Sequence, residues 1–182
     1  TVWQTPGSLA VLPFDQLNPR LIAQSIDGQN PLDRTLDMTG YPLVVRLFVE
    51  GSGQELTGFY NALHSAVPAT NRDPNKMTSI VMTGVTAMGR FTAQAIDDSD
   101  DPAFPARIVA PILSQADITH VSNEVLFVHG CPVDTSEDNL TFCSDYDYWD
   151  ALAAIGTDVV GLSGNHVNDF GYDGARESIT FY

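Results

Sequence analysis

The chain has 182 residues, 43% of them apolar and 9% aromatic, which suits one ordinary domain, or one domain and a small extra piece, with a real core. It carries 23 acidic and 8 basic residues, and the net charge of −15 repels nucleic-acid phosphates and anionic lipid heads, so nucleic-acid binding is excluded unless a metal mediates it. No apolar run approaches the ~18 residues of a membrane span, so no transmembrane segment is expected. No signal peptide is visible, and a start at Thr1 suits a trimmed or excised segment.

In chain order, residues 1–70 read as a small α/β segment. SLAVLPFDQL (8–17) is a short apolar run closed by Pro13, and Asp27-Gly28 and Asn30-Pro31 are turn pairs. The run Leu43 to Val49, bounded by Pro42 and Gly51, predicts a strand. GQELTGFYNALHSAV (53–67) has helical spacing, with Leu56, Phe59, Tyr60 and Leu63 on one side. PATNRDPNKM follows, and residues 71–77 are the expected linker.

From Thr78 to Tyr182 strands and helices alternate. TSIVMTGVTAMG is a buried strand running into a Gly-rich turn, and RIVAPILSQAD suggests a helix with Ile108, Ile112 and Leu113 inward. ITHVSNEVLFV is a strand with a polar break at Ser122–Glu124. YDYWDALAAIG is a helix capped by Gly156, TDVVGLSG is a strand, and DGARESITFY opens a last helix. Such alternation predicts an α/β fold, a mostly parallel sheet covered by helices. Cys131 and Cys143 flank a polar loop and suit either a disulfide, worth about 2–4 kcal/mol, or two buried thiols. A bridge would imply an exported protein. With no CxxC and no second cysteine pair, a zinc site on the thiols is disfavoured. Asn139 begins an Asn-Leu-Thr triplet that fits the glycosylation pattern.

In open α/β sheets ligands sit at the carboxyl ends of the strands. Three such ends are polar or Gly-rich here: Thr83–Arg90, Ser122–Glu124, and Asn165, His166 and Asp169. Oxygen and nitrogen donors from separate loops suit a divalent cation, and an imidazole beside a carboxylate suits acid–base work near neutral pH. Each feature also has a structural explanation. His166 also fits a satisfied core histidine, Asn165 a turn cap and Asp169 a helix N-cap. Arg90 fits a salt bridge or a phosphate contact. His64 and His120 fit structural roles, and His129 fits loop surface.

These three motifs resemble, in order, those of the CapA-type capsule and poly-γ-glutamate synthesis proteins, whose fold is similar to the calcineurin-like metallophosphatases. GVTAMGR (84–90) is similar to the family's Gly-Asp-Val-Met-Leu-Gly-Arg, SNE (122–124) to its Asn-Leu-Glu, and GNHVNDFG (164–171) to its Asn-Asn-His-x-x-Asp-Tyr-Gly. The resemblance implies a metallophosphatase-like domain over 78–182 that is the N-terminal half of a longer one, with an open sheet edge or a second chain over it. It implies a cell-envelope or extracellular place and metal-assisted hydrolysis or transfer on a phosphoester or anionic polymer. Glu124, Asn165 and His166 would be the ligands of a divalent ion (Mn, Zn or Ca), and His166 and Asp169 the catalytic pair, with Asp169 orienting His166. The family's first Asp falls at Val85, its Asn of the second motif at Ser122 and its leading Asn of the third at Gly164. These departures imply a weak single-metal site, recruitment of Thr83 or Thr86, or a degraded scaffold that organises an extracellular complex.

Overall fold

The computed structural model describes residues 2–182, the side chains of Trp3 and Glu55 excepted. The chain divides into two compact units between Met77 and Thr78.

Among the described residues of the first unit the one α-helix is α1, Gln54–Ala66, which opens after Gly53 at φ +93°. Leu56 and Leu63 are half-buried, and Phe59 and Tyr60 on the same side are exposed. The strand expected over Leu43–Val49 is not formed, and Leu47 is 92% exposed. An extended run has its N–H and C=O groups paired only by a neighbouring strand, and the described residues of this unit offer none. The unit is therefore a helix with turns and extended chain rather than α/β. Segment 71–77 is fastened to it by the buried Arg72, whose Nε donates to the Pro31 carbonyl at 2.9 Å and whose Nη2 donates to that of Asp33. The Arg72→Met variant is expected to orphan both carbonyls and cost the unit about 2–3 kcal/mol. Faster amide exchange across residues 30–36 would register the loss.

The second unit is built on a parallel three-stranded sheet of order β1-β2-β5, with β1 at Ile80–Thr86, β2 at Ile118–Asn123 and β5 at Val159–Gly161. Carboxylates pin the strand starts: Asp117 Oδ2 accepts from Ser79 N at 2.8 Å, and Asp158 Oδ2 accepts from Thr119 N at 2.8 Å. Three helices follow the strands: α2 (Arg90–Ser99), α4 (Trp149–Ala154) and α5 (Gly171–Phe181). The one-turn α3 (Ala110–Leu113) replaces the longer helix expected there. Ile108 and Ile112 are exposed rather than inward, and of the expected trio only Leu113 packs on the core. Helix α2 was not evident in the sequence; it buries Ala93 and Ile96, one turn apart. A parallel pair, β3 (Leu126–Phe127) with β4 (Cys143–Ser144), extends the carboxyl edge.

Val121, Phe127, Met88, Ile96 and Leu152 form the core on one face of the sheet. The opposite face presents Ile80 and Met82, both exposed, in register with Ile118 and His120. Among the described residues β1 and β5 each have one unpaired edge, as expected for an open sheet. The arrangement is compatible with a metallophosphatase-like fold.

Helix α5 is locked to the sheet by polar contacts. Ser178 Oγ accepts from Phe127 N, and Glu177 Oε1 accepts from His129 N at 2.8 Å and from the Tyr146 hydroxyl at 3.0 Å. The His129 N–H, then the Tyr146 hydroxyl, hold the Glu177 carboxyl below its usual 4.5. A carboxyl depressed by folding contributes stability above that usual value and loses it as pH falls through the lower folded one. The Glu177→Gln variant is therefore expected to be less stable at neutral pH and to unfold less steeply in acid below about pH 4.5, as followed by circular dichroism.

Candidate functional site

The carboxyl ends of β1, β2 and β5 lie side by side, and the loops leaving them share one rim. A one-residue bulge between Met82 and Val85 sets Val85 opposite Ser122, which in turn faces Gly161. The last row across the sheet is thus Val85, Ser122 and Gly161, with no carboxylate in it. Val85 is 66% exposed. Thr83 and Thr86 hydroxyls are 3.3 Å apart, and both donate to the Gly84 carbonyl.

The polar groups sit just beyond that row. After β5 the chain makes successive turns from Gly164 to Gly171, and these set His166 and Asp169 against each other. His166 Nδ1 is 2.7 Å from Asp169 Oδ2, and the two side chains are 16% and 15% exposed. An ionised carboxylate only accepts, so Nδ1 donates in this contact, and in the neutral imidazole the lone pair then lies on Nε2. Asp169 Oδ2 also accepts from the Phe142 N–H at 2.7 Å, and the Phe142 ring lies 4.3 Å from the imidazole. Asp169 does not cap α5, whose N-cap is Phe170.

Phe142 is held there covalently. Its neighbour Cys143 is bonded to Cys131, which settles the choice left open by the sequence in favour of the disulfide. Gly89, before α2, presses on the Cys143 carbonyl, where a Cβ would come within 3.1 Å. Phe142 escaped the sequence reading, since an aromatic residue beside a cysteine carries no signal of its own.

Glu124, half-buried after β2, meets Gly164 from the third loop. A Cβ on residue 164 would lie 2.3 Å from Glu124 Cβ and 2.9 Å from its Oε2. This contact gives a physical reason for glycine where the resembled motif has Asn. Asn165 is exposed. Among the described residues no group of three or more His, Cys, Asp or Glu side chains is placed to hold a metal ion. Glu124 and His166 Nε2 are two strong donors, short of the four to eight ligands a zinc or calcium ion takes. The residues present do not by themselves fit a complete cation site.

A parallel α/β sheet with a histidine–carboxylate pair and a glutamate at its carboxyl edge defines an α/β protein with a strand-end polar site. Residues 79–181, more than half the chain, match the bacterial capsule synthesis protein family PGA_cap, and the chain belongs to that family. Membership implies a role connected with capsule synthesis at the cell envelope. No curated protein and no solved structure matches the chain. No helix among the described residues is long and apolar enough to cross a membrane.

Proposed function

We propose that the chain acts outside the cytoplasm on an anionic capsule-type polymer or a phosphoester, with His166 and Asp169 as the acid–base pair of a hydrolase or transferase. The observation that carries this reading is the 2.7 Å contact between His166 Nδ1 and Asp169 Oδ2. It fixes the imidazole and leaves Nε2 for a reacting group. Nε2 takes the proton of the attacking water or hydroxyl as the new bond forms, then returns it to the leaving group. Asp169 stabilises the imidazolium in between. The disulfide supports an oxidising compartment.

A divalent cation (Mn, Zn or Ca) is the competing use of the same atoms: it would take Glu124, Asn165 and His166 Nε2, the nitrogen that the acid–base step needs free, and would need donors beyond these three. Calorimetric titration with Mn²⁺, Zn²⁺ and Ca²⁺ is expected to give only weak binding, about 10⁻⁴–10⁻³ M as for sparsely liganded sites, lost in His166→Ala.

The row of Val85, Ser122 and Gly161 favours a second reading, a catalytically degraded scaffold in an extracellular complex. Cleavage of a γ-linked glutamate polymer and of a chromogenic phosphodiester separates the two. The acid–base reading expects turnover that falls about 10²–10⁴-fold in His166→Ala. Equal turnover by wild type and His166→Ala would sink it. No turnover, together with capsule formation in cells carrying His166→Ala, would establish the scaffold.

A further inference from the structure

Beside the histidine pair lies a cleft of about 90 Å³ lined by Arg90, Asp134, Asn139, Thr141, Phe142 and Phe170, among others. One ordered water takes about 30 Å³, and a pocket for a ring-sized ligand runs to several hundred, so the cleft has room for one small head group. Arg90 is its cation. The residue departs from the end of the β1 turn at φ +54°, an uncommon backbone state for a side chain of this size. Its Nη2 donates to the Ser136 carbonyl at 3.1 Å, and its guanidinium carbon sits 5.4 Å from the centre of the Phe142 ring. Its Nε is enclosed and has no acceptor. A charged donor without solvent or partner is expensive and calls for an explanation.

The neighbouring acids do not provide one. Asp134 Oδ1 accepts from Ser136 N at 2.9 Å and its Oδ2 from Asn139 Nδ2 at 2.6 Å. No ion pair of Arg90 is formed among the described residues. Asp169 is committed to Phe142 N and His166. Arg90 and His166 therefore lie against the same phenyl ring, one with a donor to spare and the other with a free nitrogen.

Resting on the acid–base reading above, we propose that Arg90 is a positioning and specificity residue that takes one substrate carboxylate in this cleft, setting the register of a polycarboxylate chain against His166. A carboxylate suits the planar Nε–Nη edge of the guanidinium, which binds it through two parallel hydrogen bonds. The fixed charges select a monoanion. With Asp134 beside Arg90 and Asp169 across Phe142, a doubly charged phosphate would meet two carboxylates and a single cation. Phe142 and Phe170 supply apolar walls beside the guanidinium.

The Arg90 Nε–H resonance of the full oxidised chain reads this directly. Titration with a γ-linked glutamate oligomer, with acetate and with inorganic phosphate is expected to move it saturably for the two carboxylates and much less for phosphate. Arg90→Lys, folded by circular dichroism, should bind the oligomer about tenfold or more weakly. The resonance reads carboxylate binding without turnover, so the subsite stands or falls separately from the acid–base role. A resonance unmoved by either carboxylate, a larger response to phosphate, or full affinity in Arg90→Lys would overturn the assignment.

Discussion

Breaking the Cys131–Cys143 bridge is expected to lower the stability of the second unit by about 3 kcal/mol and to loosen the histidine pair in the same step. The first effect follows from chain entropy, since the bond closes a loop between cysteines 12 residues apart. The second follows from connectivity. Cys143 lies in β4, Phe142 precedes it directly, and Phe142 gives Asp169 one of its two donors. Without the bridge, β4 is held by a two-residue ladder to β3 and the press of Gly89 on its carbonyl. Denaturant midpoints with and without reductant measure the first effect, and the Phe142 amide resonance measures the second. A Cys131→Ala/Cys143→Ala protein with an unchanged midpoint and an unmoved Phe142 amide would show that the noncovalent contacts suffice.

Putting a methyl group on residue 164 is the other large perturbation. The Cβ of Gly164→Ala would meet Glu124 Cβ at 2.3 Å and Glu124 Cα at 3.2 Å, contacts that no side-chain rotation relieves. Overpacking of this kind costs about 1–3 kcal/mol and sometimes more. The cost falls where the His166 loop crosses the end of β2, so the loop must lift and His166 must move with it. The companion change Glu124→Gly removes the obstructing Cβ. In the double variant it should recover most of the loss, giving a coupling of about 1 kcal/mol or more by a double-mutant cycle. Additive behaviour in that cycle would mean that the two loops do not touch as described.

The elements legible in the sequence were those with a continuous apolar signal. β1, β2 and β5 are short runs between turn residues, and α4 ends at Gly156, whose φ of +73° suits glycine. The run Leu43–Val49 has the same composition but no neighbour to pair with, and composition alone does not reveal that. Helix α2 was missed because its inward face is only Ala93 and Ile96 within RFTAQAIDDS. Pro111 sits at the start of α3, which lasts one turn, so the apolar spacing around it suggested a helix the backbone does not continue.

At the site, His166 and Asp169 were legible because they are three residues apart in one turn. Asp169 hydrogen-bonds His166 Nδ1 and does not cap a helix. Phe142 was not legible, since it reaches Asp169 from 27 residues away through a disulfide loop. Nor was the demand for glycine at 164, which arises from contact with Glu124, 40 positions earlier in the chain, rather than from local backbone conformation.

The strand order β1-β2-β5 also bears on how the site comes into being. Every ladder in the second unit is parallel, and the contacts that pin the strand starts span 38 and 39 residues. Among the described residues of this unit no hairpin offers a local starting point, so each pairing must first meet the entropy of a long crossover. Folding is therefore expected on the millisecond-to-second side of the range for small domains. The histidine pair, which needs β5 docked and the cysteine loop closed, is expected at the last stage of that process, so the contact on which the proposed chemistry rests forms only when the whole unit is assembled.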